Sequence, residues 1–109
     1  MRMIETSPGA YSLLLVAGTT DVDEVIEELG HEPNGYFWEG IAQLLVNAEA
    51  PHLERRFDYD PEGGMFVAHG SDRLALDELA TLMTAVATDA ERLRQLVALA
   101  ADRGFEFDD

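Results

Sequence analysis

The stretch Asp58-Tyr59-Asp60-Pro61-Glu62-Gly63 sets three carboxylates at alternate positions and a glycine sixth, which is how a calcium-binding loop begins. Such a loop is closed by a bidentate glutamate at its twelfth position, and here that position holds His69. The residues between them read as a strand, and no helical pattern leads into the stretch. No metal is assigned to it. His31, His52 and His69 stand singly, without the four-residue spacing that puts two imidazoles on one helical face. The absence of cysteine removes disulfides, thiolate ligands and thiol nucleophiles, and the absence of lysine removes Schiff-base chemistry. No Gly-x-Ser-x-Gly elbow, phosphate loop or dinucleotide fingerprint occurs. Paired carboxylates could in principle act on a glycosidic bond, but 22 acids supply so many pairs that none stands out. The expectation is a protein that is not an enzyme and carries no cofactor.

The acids say more as a set. Against them stand 7 bases, all arginine, for a formal net charge of −15. That field repels nucleic acid and anionic membrane, so neither is an expected partner. Two explanations stay open: the charge keeps a small protein soluble, or it complements a basic partner. The 109 residues, 47% of them hydrophobic, suit a single domain spanning 1–109 with one core. No apolar run reaches the roughly 18–20 residues of a membrane span, and the N-terminus lacks the basic and apolar regions of a signal peptide. The cytoplasm is the expected compartment.

The elements follow from hydrophobic period and turn chemistry. Residues 11–17 form a short apolar run that reads as a buried strand. Val22, Val25, Ile26 and Leu29 then follow helical spacing, with Thr20 or Asp21 as cap and Gly30 as terminator. A second helix is expected over about 36–48, stopped by Pro51. It carries Phe37, Trp38, Ile41 and Leu45 on its apolar side as core, with Leu44 and Ala48, while Tyr36, Gly40, Gln43 and Asn47 share the other side. Glycine inside a helix costs about 1 kcal/mol relative to alanine, so Gly40 implies close packing against that turn. A hairpin follows, with Asp60-Pro61-Glu62-Gly63 as a type I turn and 65–69 as the return strand. Two more helices are expected over about 72–87 and from a Thr88–Glu91 capping box to Gly104. The ending Phe105-Glu106-Phe107-Asp108-Asp109 reads as an edge strand or a docked terminus. The order predicts an α+β fold: a small, mainly antiparallel sheet of about three strands packed with about four helices.

The segments GYFWEGIAQLL, FDYDPEGGMF, LALDELATLM, DAERLRQLV and GFEFDD together resemble the immunity protein 51 family of bacterial polymorphic toxin systems. The resemblance runs from about Ser12 to Asp109 and is most specific at Gly35–Gly40 and Asp60–Gly63. It implies a small α+β protein that binds and blocks a cognate toxin, with no catalytic residues to carry over. Many such toxins are basic, so the resemblance gives the acidity a use in steering association. The expected partner-binding residues are Tyr36, Glu39, Asp58, Asp60 and Glu62. Alternation along the first hairpin strand turns its acids outward, and Tyr36 is the one aromatic of its helix left outside the apolar side. The alternative is a small-molecule-binding or regulatory domain with a pocket near Tyr36 and Trp38. The oligomeric state and the order of the strands are not given by the sequence.

Overall fold

In the computed structural model, which describes residues 1–108, four strands form one antiparallel sheet in the order β1-β2-β4-β3. The strands are β1 (Arg2–Ser7), β2 (Ala10–Val16), β3 (Asp58–Tyr59) and β4 (Met65–Gly70). The helices are α1 (Asp23–Glu28), α2 (Gly35–Glu49), α3 (Arg73–Ala87) and α4 (Ala90–Asp102), with a short 3-10 turn at Pro51–Leu53 after α2. The α+β class and the four helices are as expected, but the sheet has four strands and not three. The extra one is β1, a largely exposed edge strand whose apolar residues are too few to make a run. The sign of it is Pro8-Gly9: proline fixes one φ, Gly9 takes φ +79°, and the pair closes a tight β1–β2 hairpin.

Helix ends are set by local chemistry. Asn34 caps α2 by accepting the Phe37 N–H at 2.9 Å. Asp72 caps α3 through the Ala75 N–H at 3.1 Å. At α4 the cap is Asp89, which accepts from Glu91 and Arg92. The expected Thr88–Glu91 capping box is therefore replaced by a simple cap one residue later, and the Thr88 hydroxyl instead donates back to the Thr84 carbonyl. At α1 the capping position is Val22, without a side-chain cap, and Thr20 instead donates to Asp23. Gly30 and Gly104, at φ +87° and +68°, end α1 and α4 with paired bonds of the Schellman type: His31 N–H to Ile26 O with Gly30 N–H to Glu27 O, and Phe105 N–H to Ala100 O with Gly104 N–H to Ala101 O.

The core lies between one face of the sheet and the helices. Leu13 and Leu15 of β2 with Phe66 and Ala68 of β4 meet Phe37, Trp38, Ile41 and Leu45 of α2, Leu76, Leu79 and Met83 of α3, and Leu93 and Leu96 of α4. The opposite face has no such cover. Leu14 is half-buried and Val16 is 50% exposed, so the apolar run that suggested a buried strand is buried on one side only. Ion pairs between Arg92 and Glu49, and between Arg94 and Glu28 at 2.9 Å, tie α4 to α2 and α1.

Trp38 is 0% exposed and meets Phe37 edge-on at a centroid distance of 5.8 Å. Its Nε1–H has no partner among the described residues, so apolar packing must outweigh the cost of an unsatisfied donor, about 1–3 kcal/mol. Removing that packing should be severe. Trp38→Ala is expected to lose about 3–5 kcal/mol in denaturant unfolding; a loss below about 1 kcal/mol would contradict the burial.

Candidate partner-binding surface

The expected site residues fall on two elements, the β3–β4 hairpin and the first turns of α2. Along the hairpin Asp58 pairs with His69 and Tyr59 with Ala68. The Asp60 N–H bonds to Val67 O at 3.0 Å, and Glu62 exchanges two bonds with Met65 at 2.8 and 3.3 Å. The chain therefore reverses at Gly63-Gly64, two residues later than the type I turn expected at Pro61-Glu62. The reason is hydrogen bonding: this register keeps the Asp60 and Glu62 amides in the ladder, and it leaves Pro61 in a non-hydrogen-bonded pair where its missing N–H costs nothing. Glu62 accordingly sits in the last strand pair and not at the tip of the loop.

Alternation then assigns faces. Tyr59 points with Phe66 and Ala68 toward the core, its ring 5.6 Å from Phe57 and 6.0 Å from Phe66. Asp58, Asp60 and Glu62 are exposed on the opposite, open face. Successive acids along a strand stand roughly 6.8 Å apart and cannot converge on one small ion. Among the described residues no group of three or more His, Asp or Glu could hold a metal. The strand registers extend this column of acids into rows across the open face. One row runs Asp60, Val67, Leu14, Arg2; its neighbours run Glu62, Met65, Val16 and Asp58, His69, Ser12, Ile4.

The helix meets the hairpin backbone to backbone. Gly35 N–H donates to Gly63 O at 3.1 Å. A Cβ at Gly35 would lie only 2.0 Å from Glu62 O and 2.2 Å from Met65 O, so a side chain there would push helix and hairpin apart. Tyr36, the next residue, is 38% exposed beside that junction. Glu39, one turn on, faces the helix side of β3. Burial is the larger cause that raises its carboxyl above the ordinary value, and Asp108 adds to it. Burial first, and then the Glu39 charge, also push the Tyr59 phenol up. The five expected residues therefore wrap around the β3 edge: the hairpin acids on the open face, Glu39 on the helix side, Tyr36 where the two elements touch.

The C-terminal tail closes the other side of α2. The described part, residues 105–108, is not a strand, and Asp109 lies outside the described residues. Phe107 stacks on Phe37 at 4.8 Å and meets His31 edge-on at 4.8 Å. A Cβ at Gly40 would come within 2.4 Å of the Phe107 ring, which is the close packing that a helical glycine implied. Arg103 donates to Asn47 at 3.2 Å. A cleft of about 230 Å³ lies farther along α2, lined by residues including Gln43, Asn47, Arg55 and Tyr59. Trp38 does not reach it, and a fully buried indole presents no face to a ligand. Sequence reasoning missed Asp108 as a neighbour of Glu39. It also missed the open-face apolar residues Leu14, Val16, Met65 and Val67, whose signal was that both phases of β2 and β4 are apolar.

Because folding raises the Glu39 pKa, the folded chain holds a proton that the unfolded chain has released once pH passes the ordinary value near 4.5. That contribution to stability is complete below the ordinary value and lost as pH rises through the raised one. Glu39→Gln should therefore gain stability relative to the parent on going from about pH 4 to about pH 7 in urea unfolding. A relative loss would contradict the direction of the shift.

Residues 1–102 match the family model described as immunity protein 51. The match takes in β1, which the sequence resemblance did not reach, and stops before the aromatic tail. No curated protein and no solved structure matches the chain.

Proposed function

We propose that this chain, which belongs to the immunity protein 51 family, binds a cognate toxin domain and neutralises it by occupancy, without catalysis. The family name supplies the class of partner. The observation that carries the reading is the acid column Asp58, Asp60, Glu62, which stands on a hydrogen-bonded hairpin with none of the three in an ion pair among the described residues. Of the seven arginines, Arg56 pairs with Asp72, Arg73 with Asp77, Arg92 with Glu49 and Arg94 with Glu28, Arg103 donates to Asn47, and Arg2 stands at the far end of the Asp60 row with two strands between them. An uncompensated column within a net charge of −15 favours a basic toxin surface and disfavours nucleic acid. No helix among the described residues is long and apolar enough to cross a membrane.

Tyr36 and Glu39 extend the surface around the β3 edge. Tyrosine suits a contact of this kind because a rigid ring adds apolar area at little entropic cost and the hydroxyl finds a partner at the rim. The charges and the ring should act on different rates. Against the cognate toxin domain, Asp58→Lys with Asp60→Lys is expected to slow association and flatten its salt dependence, while Tyr36→Ala mainly speeds dissociation. Both variants keep their fold because the altered side chains are exposed. Unchanged kinetics in both would remove the surface from the account.

A further inference from the structure

The sheet has two apolar faces and one cover. Runs that are apolar in both phases are characteristic of strands buried on both sides, yet every helix packs on the face that carries Leu13, Leu15, Phe66 and Ala68. On the other face Leu14, Val16, Met65 and Val67 form a contiguous two-by-two patch set by the β2–β4 register. Among the described residues none of the four belongs to the core or packs against it; Val16 is exposed and the other three are half-buried. The acid column of β3 borders this patch on one side.

We infer that this open face is the centre of the toxin contact, and that it fits a basic protein surface with an apolar projection over Leu14 and Val67 and Lys or Arg side chains along Asp58, Asp60 and Glu62. The inference rests on the immunity reading above and adds where the contact centres and what the partner presents. Charge selects the occupant. A second copy of this chain would bring a further −15 onto an already acidic face, whereas a basic partner meets complementary potential. Size sets the extent. Four strands about 4.8 Å apart and three rows about 6.8 Å apart give roughly 400 Å², about half of the 800 Å² per partner in a standard interface. The remainder must come from the rim, and Tyr36 beside the hairpin turn is placed to supply part of it.

The inference separates from its parent reading in one titration series with the purified cognate toxin domain. Val67→Lys puts a cation at the middle of the face, and it is expected to weaken binding about 100-fold or more, chiefly through dissociation. Its thermal unfolding should stay close to that of the parent. Should Val67→Lys fold poorly, Val16→Lys replaces a side chain already 50% exposed and is expected to weaken binding at least about 10-fold. Binding within about threefold of the parent in a folded variant overturns the inference and leaves the immunity reading standing. Failure of the parent chain to bind the toxin overturns both. Sedimentation of the chain alone should show a monomer; a dimer dispersed by Val67→Lys would give the face to a second copy and overturn the proposal.

Discussion

The enclosure of α2 is the constraint on which the rest of the molecule depends. Its apolar side, with Phe37, Trp38, Ile41 and Leu45 fully buried, fills the space between the sheet and the α3–α4 pair. Its start is held against the hairpin through the backbone of Gly35, and its far side is closed by Phe107 over Gly40. The two glycines do related work. Each removes a Cβ so that another part of the chain can approach a helix more closely than any side chain would allow. Closing a helix on three sides with one strand pair and one tail fixes the β3 edge relative to α2, and hence fixes the acids relative to Tyr36.

That enclosure also explains why the sheet is one-sided. All four helices are committed to the face bearing Leu13 and Phe66, leaving no helix among the described residues for the face bearing Leu14 and Val67. A face left open in this way can take a partner, and on the proposed reading the hairpin acids Asp58, Asp60 and Glu62 make it selective. Three like charges spaced along a strand resist pairing of that edge with another acidic chain and attract a basic one. The same residues thus oppose self-association and favour a partner of opposite charge. On this account the neutralising surface is built from backbone register, and no special side-chain chemistry is required.

Much of this was legible in the sequence because it is local. The periodicity of α2, α3 and α4, the left-handed glycines at 30 and 104 and the outward phase of Asp58 and Asp60 all depend on neighbours within a few residues. What was not legible depends on distant partners. β1 has too little apolar content to stand out and exists because β2 supplies its ladder. The hairpin turn moved to Gly63-Gly64 because the amides of Asp60 and Glu62 find carbonyls on β4, which turn propensity does not weigh. The run around Leu14 read as a strand buried throughout, and nothing in one sequence says that only one of its faces is covered by the chain itself. Gly40 announced a close contact without identifying Phe107, some sixty-seven residues away, as its source.

Carboxyl footprinting of the chain, alone and in complex with its cognate toxin domain, tests the central claim most directly. Carbodiimide labelling reads each acid separately, and the open face and the helical side carry different ones. The account predicts that Asp58, Asp60 and Glu62 lose reactivity in the complex while Glu78 and Glu91, on α3 and α4, keep theirs. Protection of the α3 and α4 acids with the hairpin acids unchanged would place the toxin on the helical side and contradict it.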